Sequence, residues 1–391
     1  MSDGLTDALR VALAWAKNGN DPRLASTFRS DEYSEHLRRI ETEVSAHAVL
    51  GSLDGKLVRS GGAAASISNR LVAHALFERA YELDDVDAAI DRTVSFVQAP
   101  AFDVLTVVTL FGVRTDRTIP LSDNLSFTTP SELPRSANFQ RLFPLESEKF
   151  AQRVFAPGTV FATSALTYRW RIENGILPAT FDSLTGAYDQ TEDRDVERAI
   201  ACLVLSSNES VQRIHRYHEN LHQGHLWPGS GWSEHPTTTT FRDPVVVDET
   251  NLTELFKLTG SFADWSEFYR LVRRLNNARA KQDLVDAHID LGIVAECALT
   301  KGDGKDTEIS QRLRTRIAWL LGTDPKTRRA TAKAMNELYT RRSTAVHSGE
   351  VSNKKRETFL QDDDLCRRLL IAILRRGHFP QSKDWSDIVY G

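Results

Sequence analysis

From Asn251 to Arg376 the apolar residues return at the helical period in one segment after another. The spacing predicts helices over 251–258, 263–280, 281–300, 308–321, 327–347 and 356–376. A stretch that is helical throughout has to bury its apolar stripes against each other, which commits this part of the chain to an all-α bundle.

The text before it is different. An amphipathic helix is predicted over 4–17, where Leu5, Leu9, Val11, Leu13 and Trp15 form a broad stripe, and further helices over 64–82 and 86–98. Residues 103–127 are rich in β-branched and aromatic side chains, with turn chemistry at Thr115-Asp116 and Ser122-Asp123, and predict two or three strands in a small sheet or hairpin. Residues 128–160 contain four prolines and read as irregular. Helices resume over 161–176 and 192–223. The segment 227–244, dense in Pro, Gly, Ser and Thr, reads as a linker. The fold class is therefore mainly α, with a mixed α/β region over 1–248 containing a small sheet or hairpin and a helical domain over 249–391.

Composition narrows the function. No apolar run approaches the roughly eighteen residues of a membrane span; the longest, Val104 to Val113, is broken by threonines. Asp3 and Asp7 stand where a signal peptide carries positive charge, so a cytoplasmic protein is expected. Cys202, Cys297 and Cys366 are isolated among apolar neighbours and read as buried thiols. Residues 301–391 hold 19 Lys and Arg against 12 Asp and Glu, a net of +7, whereas the whole chain is at −4, leaving −11 for the rest. A basic segment on an acidic protein fits either a solvated helix face or a local anionic partner such as nucleic acid.

Within that segment, TRRATAKAMNELYTRRSTAVHSGE (327–350) places Met335, Leu338, Tyr339, Arg342, Ala345 and Val346 on one helical face, so that Arg342 projects from an apolar stripe. His347 follows five residues later, and Ser348-Gly349 supplies a helix stop. A guanidinium clamps phosphate oxygens and an imidazole moves protons near neutral pH, so the pair suits phosphate chemistry. The spacing alone is weak. With 11 histidines, chance gives roughly three Arg-x(4–6)-His matches, and Arg29/His36, Arg213/His218 and Arg216/His222 are others.

Three ordered segments lift the motif above that background. LYTRRSTAVHSG (338–349), DLVDAHIDLGIVAECAL (283–299) and ISQRLRTRIAWLLG (309–322) together resemble HEPN domains, closest to the ApeA-like branch, over roughly residues 265–376. The resemblance implies a helical ribonuclease fold that dimerises, with two Arg–His pairs facing one cleft, and RNA cleavage without a metal or cofactor. Arg342 would stabilise the charge of the pentacoordinate phosphate and His347 would act as general acid or base. The ribose 2′-OH would be the nucleophile, leaving a cyclic phosphate. Ser343, Glu296, Tyr339 and Arg316 would support them; Glu296, in the apolar run IVAECAL, needs a cationic partner, Arg342 or Arg316. On an unbroken helix a five-residue step turns the two motif side chains about 140° apart, so they converge only if the helix loosens near Ser348-Gly349 or if the cleft embraces both directions. Families of this type use such enzymes as toxins or antiviral defence effectors, with the additional region acting as a sensor for a regulatory partner or ligand. The alternative is a non-catalytic HEPN scaffold that binds RNA or dimerises.

A rival lies in RIHRYHENLHQGH (213–225). His218-Glu219-Asn220-Leu221-His222 is a formal HExxH, which on a helix sets two zinc-ligating histidines on one face with Glu as base for a bound water, and His215 and His225 extend the row. The polar surroundings favour a surface helix running into a loop over a zinc-dependent hydrolase. Gly61-Gly62 reads as a loop, and Trp227 and Trp232 as loop anchors or base-stacking groups.

Overall fold

The computed structural model describes residues 3–22, 30–60, 63–134, 136, 139, 162–173, 175–177, 190–226, 231–233, 243–301, 308–351 and 356–390. It is mainly helical, with small sheets in the N-terminal half. Two compact units divide the chain. The first takes residues 1–107, 167–190 and 216–232, and the second 108–166, 191–215 and 233–391.

The first unit begins with α1 (Asp3–Lys17) and α2 (Asp31–Ala46), followed by α3 (Asn69–Leu83) and α4 (Val86–Gln98). Side-chain caps start three of these helices: Ser30, Ser68 and Asp85 accept from the backbone N–H of Tyr33, Leu71 and Ala88, satisfying donors that a helix end leaves orphaned. Leu9, Ile40, Val44, Leu76 and Phe77 form the centre of the core, where Tyr33 stacks on Phe77 at 5.8 Å. A small antiparallel sheet joins β1 (Leu57–Ser60) to β2 (Ala63–Ser66) and, on its other side, to β8 (Ile176–Leu177). The helix predicted over 64–82 therefore starts later: Ala63–Ser66 pairs with β1, and the chain turns helical only once Ser68 can cap it.

A six-stranded sheet runs in the order β10-β9-β3-β7-β6-β5, made of β10 (Gly231–Ser233), β9 (Gln212–Asn220), β3 (Ala101–Phe111), β7 (Ser164–Glu173), β6 (Leu125–Thr128) and β5 (Ile119–Pro120). The expectation of strands within 103–127 is met and exceeded. One predicted helix is a strand, and another is a helix only over its first part. Residues 164–173, predicted helical within 161–176, read SALTYRWRIE, whose Thr, Tyr, Trp and Ile fit a pleated surface better than a helix. The predicted 192–223 helix stops at Ser206, where α5 (Gln190–Ser206) ends; Ser207-Asn208 breaks it, and the chain re-emerges as β9. Most of the 227–244 linker and of the irregular 128–160 segment lies outside the described residues, as do Gly61-Gly62 and Trp227.

In the second unit, β4 (Val113–Arg114) pairs in parallel with β11 (Val245–Val246). The helical region comprises α6 (Glu249–Thr259), α7 (Trp265–Ala280), α8 (Leu284–Thr300), α9 (Ile309–Leu321), α10 (Pro325–Ser348), α11 (Arg356–Arg376) and α12 (Ser382–Tyr390). All but α12 were predicted to within three residues at each end. Helix α8 is central and packs on α7, α10 and α11, while α9 packs on α10. Accordingly Ala287, Leu291, Val294, Ala295, Ala298 and Leu299 of α8 are all buried. A buried ion pair ties α7 to α11: Arg279 donates from Nε to Asp363 Oδ1 at 2.7 Å and from Nη2 to Oδ2 at 3.1 Å. Its Nη1 donates to the carbonyls of Val204 and Glu209. Two expectations about exposure fail. Cys202 and Cys366 are buried, but Cys297 is exposed, and Val346 stands 50% exposed at the margin of its helix's apolar face.

Candidate functional site

Helix α10 carries the motif and is closed at both ends. Asp324 caps it, accepting from Lys326 and Thr327 N–H, and Thr327 returns a side-chain bond to the Asp324 backbone, with Pro325 opening the first turn. At the other end Gly349 takes the left-handed conformation (φ 68°), and its N–H reaches Ala345 O at 3.1 Å. The helix is regular through Ser348, so the loosening that would bring Arg342 and His347 together in one chain is absent.

Thr331, Met335, Leu338 and Ala345 face the core, and Arg342 lies in the same row. An arginine there needs room for its stem, and Gly292 of α8 gives it. A Cβ at Gly292 would overlap Arg342 Cγ and come within 2.6 Å of Arg342 Cβ. One turn further along α8, Glu296 Oε2 lies 3.3 Å from Arg342 Nη2, both side chains about one quarter exposed. The Tyr339 ring, one turn earlier on α10, sits 5.9 Å from the guanidinium carbon. Of the two candidate partners for Glu296, the structure selects Arg342. Arg316 is engaged elsewhere: its Nη1 donates to Leu299 O at 2.6 Å, at the C-terminal end of α8, and its guanidinium lies 5.0 Å from the Trp385 ring. Arg342 Nε is buried and has no hydrogen-bond partner among the described residues.

The neighbouring Arg341 is gripped from a third helix. It donates from Nε and Nη2 to the two Asp362 oxygens of α11, at 2.8 and 2.6 Å, and Asp362 lies 3.2 Å from His288 Nδ1 of α8. Ser343 is half-buried. His347 is exposed in the last turn of the helix. Among the described residues no hydrogen bond or ion pair joins Arg342 to His347. Regular helix geometry sends the two side chains about 140° apart.

Sequence reasoning passed over Gly292. A glycine inside a helix costs about 1 kcal/mol relative to alanine, and in IDLGIVAE it stands far from either helix end, which is the signal of a close approach.

The HExxH reading is overturned. Its first three residues lie on β9, where successive side chains alternate between faces, so His218 and Glu219 point to opposite sides. The strand ends at Asn220 and His222 lies beyond it, so the two histidines do not share a helical face. Far from being a surface helix, the strand is buried. His218 Nδ1 pairs with Thr106 Oγ1 at 2.9 Å, and Trp170 Nε1 donates to the same hydroxyl at 3.2 Å. Past the strand, His222 Nδ1 accepts from Gly224 N–H and its ring lies 5.2 Å from Phe96. Burial, with the Arg79 guanidinium second, pushes the His222 imidazole down, and the same causes push His225 down to about 4. Arg79 is itself buried, donating to Thr93 Oγ1 and to the His225 carbonyl. Among the described residues no group of three or more His, Cys, Asp or Glu is arranged to hold a metal ion.

A separate small cleft is lined by Gly112, Glu209, Ser210, Gln212, Asp243 and Arg279, none of them a motif residue. Among the described residues no helix is long and apolar enough to cross a membrane. No family model, no curated protein and no solved structure matches the chain.

Proposed function

We propose that the helical region is a HEPN-type endoribonuclease that cleaves RNA as a homodimer, without a metal, by attack of the ribose 2′-OH on the adjacent phosphate. The observation that supports this reading most is the seating of Arg342. Its stem crosses a glycine, its head meets a carboxylate, and a buried Nε donor is left unspent. Such an arginine is preorganised to stabilise charge developing on a phosphorane. His347 is exposed on the same helix and is the group positioned to transfer protons. Because the two diverge within one chain, the working pair is Arg342 of one copy with His347 of a second, related by a two-fold axis. Tyr339 lies beside the guanidinium, Ser343 follows Arg342 as a supporting polar group, and Arg316 supports α8 instead of touching substrate. In this reading the protein acts in the cytoplasm as a toxin or antiviral effector, and its N-terminal region senses a regulatory partner or ligand.

A second reading, a non-catalytic scaffold that dimerises or binds RNA, is favoured by one specific fact: Arg342 already has an ion-pair partner and lies on the packed face of α10. One experiment separates the two. Mixed labelled RNAs incubated with the full chain, with and without EDTA, should yield 2′,3′-cyclic phosphate ends in both arms, and His347→Ala should abolish them without changing the melting temperature. Absence of cleavage by the wild type, or cleavage at wild-type rate by the variant, rejects the nuclease reading.

A further inference from the structure

Helix α10 has a second face, opposite the one that seats Arg342. At 100° per residue, Lys326, Arg329, Lys333, Thr340, Thr344 and His347 fall within about 60° of one another. All are exposed except Thr344, which is half-buried. The other basic residues of the helix are spoken for: Arg341 by Asp362, Arg342 by Glu296, and Arg328 by the Trp319 ring and the Gly322 carbonyl. Against the three cations the stripe carries one acid, Glu337, which stands 3.9 Å from Lys333 with both side chains solvent-facing, and Asp324 spends its carboxylate capping the helix. The hydroxyls of Thr340 and Thr344 turn back to the helix's own carbonyls, so the middle of the stripe adds no charge.

We propose that this face, from Lys326 through Arg329 and Lys333 to His347, is a track for the phosphate backbone of single-stranded RNA that leads the strand to His347. The proposal rests on the nuclease reading for its occupant, and three features of the stripe fit that occupant. The cations rise by about 4.5 and 6 Å along the axis, comparable to the step between phosphates of an extended strand. The whole stripe is about 32 Å long, and it ends on the imidazole assigned to proton transfer. In-line attack by a 2′-OH also requires a nucleotide free of duplex geometry, which a narrow, one-helix track accommodates.

The test uses the full chain and a 2′-O-methyl RNA 15-mer, which lacks the nucleophile, so binding is read independently of cleavage. In K326Q/R329Q/K333Q, loss of three phosphate contacts should make the slope of log K against log salt shallower by about 2 and weaken low-salt binding by about tenfold or more. Lys257→Gln with Lys383→Gln, two exposed lysines on other helices, should leave the slope unchanged. An unaltered slope in the triple variant overturns the track, as does wild-type binding to anionic lipid vesicles but not to the RNA. Failure of the two ideas is separable: RNA binding that depends on the stripe, in a protein that never cuts, keeps the track and rejects the nuclease, whereas cleavage with a normal salt slope in the triple variant does the reverse.

Discussion

Gly292 lies directly beneath the stem of Arg342, so close that a single added carbon would overlap the arginine's Cγ. Alanine at 292 gains up to about 1 kcal/mol of helix propensity. Overpacking against a neighbouring helix costs about 1–3 kcal/mol, so the net is destabilising. Gly292→Ala should lower unfolding free energy by up to about 2 kcal/mol in urea titration and displace Arg342. A variant as stable as wild type would show that the seam between α8 and α10 has slack.

The Glu296–Arg342 pair separates the two functional readings. Both side chains are about a quarter exposed, so Glu296→Gln should cost about 1 kcal/mol or less. In a nuclease the same change loosens the guanidinium and should lower kcat well beyond that small stability loss, and Arg342→Lys should be impaired further because an ammonium cannot clamp phosphate in a bidentate way. If Glu296→Gln changes neither RNA cleavage nor KM, the carboxylate is structural only.

Pairing across copies has a numerical signature. Co-expression of Arg342→Ala with His347→Ala chains gives heterodimers in about half of the population, each with one intact Arg–His pair, so about a quarter of wild-type cleavage should return. Both homodimers should be inactive. No recovery in purified heterodimers would place the working pair within one chain.

Acid should weaken the first unit through His225. Its folded-state pKa of about 4 lies below the ordinary imidazole value of 6.5, chiefly because burial penalises the cation. The unfolded chain therefore binds the proton first as pH falls, and stability present above about pH 6.5 is lost progressively down to about pH 4, by about 3 kcal/mol in all. Urea unfolding between pH 7 and 4.5 should show this slope, and His225→Gln, which keeps the backbone carbonyl used by Arg79, should flatten it. An equal slope in the variant would assign the acid sensitivity to other groups.

Removing one partner of the Arg279–Asp363 pair should be severe. Arg279→Leu leaves a carboxylate about 2% exposed without its counterion, a loss of about 3–5 kcal/mol. Calorimetry should show the transition lowered strongly, whereas Arg375→Leu, at an exposed ion pair with Glu254, should barely move it.

The C-terminal helices were legible because local signals agree there: apolar residues at the helical period, and Asp248, Asp283 and Asp324 each capping the next helix. The same logic misled at RIHRYHEN. Histidines four apart suggested a helix face, but the segment is a buried strand, a fate decided by sheet neighbours such as Thr106 and Trp170 that are distant in sequence. In the site, the need of Glu296 for a cation was readable from IVAECAL, and its choice of Arg342 over Arg316 was left to tertiary geometry. Gly292 left the trace of a mid-helix glycine without saying what approaches it, and the grip of Asp362 on Arg341 was invisible, since both depend on how closely and at what angle the helices cross.

Arg341 and Arg342 are consecutive, yet the carboxylates that hold them belong to different helices, α11 and α8. A rod gripped at two adjacent points from two directions can neither roll nor slip without breaking one of them. The direction in which the exposed imidazole points, a turn and a half away, is thereby coupled to a buried aspartate it does not touch.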